Sequence, residues 1–279
     1  MVIGWTEIQK QRLQELNASE DMLAQTFADP GERNRRYQKI EQDLVSRGRE
    51  SLLEYQRKSK KPALLSLEFK LSKALRAYGF SRVTTPILLS KGLLARMNIT
   101  ELHPLYDQVY WVDEKKCLRP MLAPNLYYLL KDLLRVWEHP VSIFEIGACF
   151  RKDTRGSSHL PEFTMLNLVE MGLPEKDCRK RLKELACLVM EAVEINDYNF
   201  ETVNSEVYGE TFDIVSNNIE IGSAAMGPHS LDQAWGITVP WVGIGFGLER
   251  ILAVKKGFNS VQKAGRSLSY LDGIRLNIQ

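Results

Sequence analysis

The sequence predicts an α+β fold, an antiparallel sheet with helices on its flanks and a helical segment in front. Two observations carry this. Helical texture dominates the start of the chain and strand-like runs crowd the part after residue 107, and the regular strand-helix-strand alternation of a doubly wound parallel sheet is missing. From Thr6 to about Tyr55 the chain is polar, poor in strand formers and broken at Asn17-Ala18-Ser19 and Asp29-Pro30-Gly31, so it reads as short helices. After Pro62, Leu64, Leu67, Leu71, Leu75 and Tyr78 recur at helical spacing and Gly79 supplies a stop, predicting an amphipathic helix over 62–78. Residues 108–113 and 116–119 flank Glu114-Lys115 like an antiparallel hairpin, and Pro124 then opens a leucine-rich helix reaching about Arg135. The β-rich runs 143–152 and 163–171 are joined by a polar loop from Asp153 to His159, too long for a tight hairpin, and such loops often carry function. A helix over about 175–193, short strands near Phe200, Phe212, Ile219 and Trp241, and a last helix after Gly245-Phe246-Gly247 complete the pattern. The division expected is 1–61, helical, and 62–279, one larger α+β domain.

With 279 residues, 44% of them hydrophobic, the chain can bury a large core, which excludes a disordered or fibrous protein. A net charge of +2 neither demands nor excludes a nucleic-acid partner, because a basic face can hide inside a balanced total. Cys117, Cys149, Cys178 and Cys187 form no Cys-x-x-Cys pair and have no histidines at zinc-ligand spacing; they read as reduced core thiols. The first residues lack a signal peptide's basic start and apolar stretch, and no apolar run is long enough to span a bilayer, so a cytoplasmic protein is expected, with no membrane contact.

The chemistry-bearing residues gather at strand ends. Arg151 ends the first long run, His159 and Phe163 lie across its loop, Glu220 and Ser223 share a later strand, and Arg250 closes Gly245-Phe246-Gly247-Leu248-Glu249-Arg250. Two arginines, a carboxylate and an aromatic suit a nucleotide: the guanidinium fork grips phosphate oxygens, and magnesium takes oxygen ligands that it usually shares with phosphates. Gly243-x-Gly245-x-Gly247 fits neither standard nucleotide loop; taken alone, it reads as a strand passing close to another backbone before turning into a helix.

Cys149-Phe150-Arg151, Glu162 to Leu168, and Gly245 to Arg250 resemble, in order and spacing, motifs two and three of the class II aminoacyl-tRNA synthetases; Leu71 to Gly79 followed by Phe80 to Pro86 resembles motif one. Cys117-Leu118-Arg119-Pro120-Met121-Leu122-Ala123-Pro124-Asn125-Leu126-Tyr127, with Phe144 to Gly147 and Ser267 to Gly273, is similar to the branch of that family that serves pyrrolysine. The likeness covers nearly the whole chain, as the catalytic portion. It implies the class II catalytic fold and a two-step ligase reaction: ATP and magnesium convert an amino acid to its adenylate, which is then transferred to tRNA.

The resemblance also implies roles. Arg151 would meet the α-phosphate and the reacting carboxylate, Arg250 the γ-phosphate, and Glu220 and Ser223 the magnesium ion, making Arg151, Arg250 and Glu220 the catalytic set. Phe163 would stack on adenine with the Arg250 guanidinium on its other face, and His159 would meet a phosphate from the loop. Asp153 stands where the family usually has a glutamate that reads the adenine amino group, so its shorter carboxylate reaches less far. The amino-acid pocket would be walled by Ala123, Leu126, Tyr127 and Leu130 on one helix face, with Met165, Val169, Trp241 and Gly243 opposite. Asn167, polar in an apolar strand, would bind the substrate's side-chain carbonyl. Tyr208 would cap the pocket from a mobile hairpin.

For tRNA, Lys10, Arg12, Arg33, Arg35, Arg36, Lys39 and the run from Arg57 to Lys61 offer cations, interspersed with Glu15, Glu20, Glu32 and Glu41; a tRNA surface and a plain solvated face weigh about equally. A homodimer through motif one, and a separately encoded tRNA-binding protein, are further expectations of the resemblance. The rival readings are a class II synthetase for another amino acid such as phenylalanine, and a non-catalytic synthetase-like module that binds tRNA or an amino acid.

Overall fold

The structure, a computed structural model, describes residues 2–153, 156–205 and 207–278. Thr154 and Arg155 of the predicted loop lie outside the described residues. A seven-stranded sheet runs in the order Ser81–Arg82, Val141–Phe150, Glu162–Met171, Trp241–Gly247, Ile219–Gly227, Gly209–Ser216, Asn199–Ser205. Its first pairing is parallel and the others are antiparallel, as the absence of alternation predicts.

Period-two alternation sorts each central strand onto two faces. Leu166, Leu168, Val242, Ile244 and Phe246 point to one core, which the helices Ala63–Ala77, Cys178–Val193 and Leu248–Lys256 cover. The predicted leucine stripe does the covering: Leu67, Leu71 and Leu75 are buried there, each worth ~1.5–3 kcal/mol on leaving water. Gly79 ends that helix at φ +103°, where a side chain would be strained. On the other face, Ala123–Leu133 and Asp232–Trp235 pack against Val141, Ile143, Met171 and Trp241.

The expectation of short helices in front holds for Glu7–Glu15 and Glu20–Leu23 but not for Pro30–Arg57, which runs 28 residues. Thr6, Ser19 and Asp29 cap the three, so the breaks fall where sequence put them. The long helix continues because Gly48 is its only interior breaker, and Gly48 is where Ile278 packs: a Cβ there would lie 3.2 Å from the Ile278 Cδ1. Leu13, Leu16, Ile40 and Leu44 share a small core with Ile278, tying the two ends of the chain together.

The hairpin predicted over 108–119 forms as a short one: about an antiparallel Trp111–Cys117 bridge, the Val112 N–H donates to the Lys116 carbonyl and the Leu118 N–H to the Tyr110 carbonyl, both at 2.9 Å. On its other side Lys116–Leu118 pairs antiparallel with Leu88–Ser90, a pairing the sequence did not show. The Asp113 carboxylate accepts from the amides of Lys115 and Lys116, both at 2.7 Å, and so shapes the turn.

Candidate active site

A cavity of about 510 Å³ opens on the sheet face away from the helix trio. Alternation builds it. Phe163, Met165, Asn167 and Val169 line it from one strand, while Gly243, Gly245 and Gly247 line it from the next. The glycines therefore do more than allow a turn. A Cβ at Gly243 would stand 3.3 Å from the Trp241 ring, and one at Gly245 would stand 3.2 Å from the Met165 Cε, so their bareness makes part of the space.

Glu220 and Ser223 lie three residues apart on one strand, which in a regular strand would put them on opposite faces. The pairing jumps from Ile214–Gly222 to Val215–Glu220, leaving Ile221 as a bulge, and both side chains then line the cavity. Asp213 sits opposite Ser223 in the ladder and hydrogen-bonds to it; burial pushes the Asp213 carboxyl's pKa up against that bond. Among the described residues no group of three or more His, Cys, Asp or Glu side chains forms a metal cage. Two or three hard oxygens at the edge of a cavity suit an ion that keeps its other ligands from phosphates and water.

The two arginines are held differently. Arg151 donates from Nε to the Pro120 carbonyl at 2.9 Å, and its backbone N–H donates to Pro161 at 3.0 Å. Its Cζ lies 5.3 Å from the centre of the Phe163 ring. Strand pairing explains this: Cys149 faces Phe163 across the ladder, which brings the next residue on that face, Arg151, beside the ring. Arg250 turns to the loop and the bulge instead. Its Nη1 lies 2.9 Å from the Glu220 carbonyl and 3.0 Å from its carboxylate, its Nε 3.3 Å from the Ser158 carbonyl, and its Nη2 3.4 Å from the His159 Nε2. Burial, and then Arg250, lower the Arg151 pKa, opposed by Cys149, Glu220 and Asp153; a guanidinium starts high enough to stay charged. Asp153 reaches to 3.8 Å from the His159 Nε2, placing it within this polar group.

At the apolar end, Ala123, Tyr127 and Leu130 line the cavity, but Leu126 does not. At 100° per residue Leu126 lies 100° round the helix from Tyr127, and it is wholly buried in the apolar cluster that surrounds the pocket. Tyr127 stacks on Trp235 at 5.4 Å and meets Trp241 edge-on at 5.6 Å. Trp241 in turn donates its indole N–H to the buried Asp232 carboxylate at 2.9–3.0 Å. Asn167 is 8% exposed and gives one amide hydrogen to the Ile244 carbonyl at 3.2 Å, which fixes its plane. Tyr208 closes this end, its ring 6.1 Å from Trp241 and 5.8 Å from His229.

Among the further residues that line the cavity, three differ in how far the sequence points to them. Ala225 follows Ser223 at strand spacing and was legible by alternation. Glu249 is buried and accepts the Thr164 N–H on both oxygens at 2.9 Å, clamping the last helix to the sheet from within the run Gly245 to Arg250. His103 enters as the N-cap of the short helix Pro104–Asp107, its Nδ1 accepting the Leu105 N–H at 3.1 Å.

Residues 50–271 match the family described as tRNA synthetases class II core domain (F). The crystal structure of pyrrolysyl-tRNA synthetase from Desulfitobacterium hafniense superposes with a TM-score of 0.93 at 51% identity, covering 99% of each chain. The chain belongs to the class II aminoacyl-tRNA synthetases, in the pyrrolysyl-tRNA synthetase group. A second structure from the same organism gives a TM-score of 0.90 at 50% identity, covering 98% of this chain and 95% of that one. A more distant relative of the class is the phenylalanine–tRNA ligase α subunit of Methanospirillum hungatei, 26% identical over 160 residues, 56% of this chain and 34% of the relative. The chain thus spans about a third of the length of the curated relatives it matches. Glu162–Met171 lies between Val141–Phe150, which Arg151 follows, and Trp241–Gly247, which leads into the helix of Arg250, and both arginines line the one cavity.

Proposed function

We propose that the chain activates pyrrolysine with ATP and transfers it to the cognate tRNA. The observation that supports this best is a single cavity with two arginines and a bulge-built oxygen pair at one end, and at the other an apolar pocket holding one buried amide, Asn167. In the first step the substrate carboxylate forms a bond to the α-phosphorus, the bond to the β-phosphate oxygen breaks, and pyrophosphate leaves with its electron pair. Arg151 faces the α-phosphate and spreads charge as the phosphorus becomes five-coordinate; Arg250 holds the outer phosphates. Glu220 and Ser223 would hold magnesium, which when bound neutralises phosphate charge. In the second step a terminal ribose hydroxyl of the tRNA attacks the adenylate carbonyl and AMP departs. Alignment and charge suffice, so no covalent enzyme intermediate is needed. The apolar end selects mainly by size, and a missing methylene costs only ~1–3 kcal/mol of discrimination, so bulky Nε-acylated lysines should also be accepted.

ATP-pyrophosphate exchange tests this, comparing pyrrolysine or an Nε-acylated lysine with lysine and phenylalanine. The expected result is exchange with the bulky lysine derivatives alone, lost in Arg151→Ala. Strong exchange with phenylalanine and none with pyrrolysine would replace the substrate. No exchange with any amino acid, from folded protein, would favour the non-catalytic module.

A further inference from the structure

Behind the cavity lies a buried ion pair that neither the chemistry nor the pocket uses directly. Arg119 and Glu145 are 3% and 1% exposed, and Arg119 Nη1 lies 2.8 Å from Glu145 Oε1. A buried pair is costly unless its remaining hydrogen-bonding groups are met, and these are met at nearly every point. Arg119 Nε donates to the Ala148 carbonyl at 2.8 Å, and its Nη1 also reaches the Thr85 carbonyl at 3.1 Å and the Thr85 hydroxyl oxygen at 3.0 Å. Glu145 accepts from the Thr85 N–H at 3.1 Å and from its hydroxyl at 2.6 Å. Gly147 is bare where the guanidinium passes; a Cβ there would lie 2.1 Å from Nη2.

The backbone of Arg119 is pinned as firmly as its side chain. Its N–H donates to Ile87 at 3.0 Å and its carbonyl accepts from Phe150 at 3.0 Å. The next carbonyl, that of Pro120, is the one on which Arg151 Nε rests at 2.9 Å. Asn125, near the start of the helix carrying Ala123 and Tyr127, donates to the same Thr85 hydroxyl and to the Pro86 carbonyl, both at 2.9 Å. One fixed point therefore sets the height of the arginine at the nucleotide end and the root of the helix at the amino-acid end.

We infer that Arg119 and Glu145, which do not line the cavity, are positioning residues for the adenylation step: they hold the Pro120 carbonyl that orients Arg151. The inference rests on the proposed synthetase activity. Its test is a cycle of pyrophosphate-exchange measurements on the full chain with Glu145→Gln, Arg151→Lys and the double variant, each checked for folding by circular dichroism and thermal melting. Arg151→Lys keeps a charge but cannot rest one nitrogen on Pro120 while presenting a fork. Glu145→Gln is expected to lower kcat about 10- to 100-fold, the cost of a small misplacement of a reacting group, with the KM for the amino acid nearly unchanged. In the Arg151→Lys background the same change should cost less than about threefold, because the group it positions is already gone. Equal losses in both backgrounds would overturn the inference and leave the pair a structural feature. If Glu145→Gln fails to fold, Thr85→Val, which removes the shared hydroxyl and keeps the ion pair, is judged by the same criterion. Wild-type protein that exchanges with no amino acid would instead sink the proposed function, so the two failures are distinct.

Discussion

At the scale of single residues, the expected site side chains meet in one cavity, with Leu126 as the exception. Leu126 shares the face of Ala123, Tyr127 and Leu130 by spacing, but it lies at the edge of that face farthest from Tyr127 and is wholly buried in the surrounding core, leaving the other three to line the cavity. Strand pairing sets Arg151 beside the Phe163 ring, a contact that motif spacing alone does not show. Asn167 was legible because an amide in an apolar strand demands a partner, though only the fold reveals that the Ile244 carbonyl takes one of its hydrogens. With the amide plane so fixed, the rest of it can serve the substrate. Asn167→Ala should raise the KM for an Nε-acylated lysine about tenfold, the ~1–1.5 kcal/mol of one hydrogen bond, and leave the KM for ATP unchanged. Parallel increases in both constants, measured in the exchange assay, would mean that the amide supports the site as a whole.

At the scale of elements, length and local chemistry separated what could be read from what could not. The 62–78 helix, the two ten-residue strands and the last helix carry either a full amphipathic period or a clear stop, and they stand within a few residues of expectation. The 108–119 hairpin closes over only a few residues, and the second partner of Lys116–Leu118, Leu88–Ser90, was not legible because a three-residue strand carries no preference for a distant edge. The bulge at Ile221 left no mark in sequence at all, since its cause is the register of a neighbouring strand. The cations proposed for tRNA sit mainly on the long Pro30–Arg57 helix and just beyond it, and not all are at liberty. Arg12 is paired with Glu41 at 2.9 Å, while Lys58 and Lys60 both approach Glu54. Replacing Arg57, Lys58, Lys60 and Lys61 by alanine should raise the tRNA KM severalfold and steepen no other constant, because lost phosphate contacts weaken only that partner. An unchanged tRNA KM in the aminoacylation assay would reject this surface.

At the scale of the whole molecule, the N-terminal helices and the C-terminal strand pair form one joint, and Lys263 is its buried charge. It is 4% exposed and donates to the Gln14 carbonyl and the Asn17 side-chain oxygen, both at 2.7 Å. Burial lowers its pKa from 10.5 to about 8, partly offset by Glu15. Between those two values the unfolded chain holds more protons at this site than the folded one, so stability rises with pH across that window and the penalty is complete below about 8. Denaturation midpoints at pH 7.5 and pH 10 should therefore differ more favourably in the wild type than in Lys263→Met; equal differences would show that the lysine is not desolvated in the joint. Taken by itself, the sequence determined the α+β class, the order of most of the long elements and the breaks between the first helices, because periodicity, turn chemistry and motif spacing are properties of neighbours along the chain. Only the tertiary structure decided which strand edge each short segment took, where the bulge fell, which arginine met the aromatic ring and how Arg119 with Glu145 anchors the cavity. Those depend on register and burial between residues far apart in sequence, where each contact is worth little alone and the choice among partners is made by the packing of the whole.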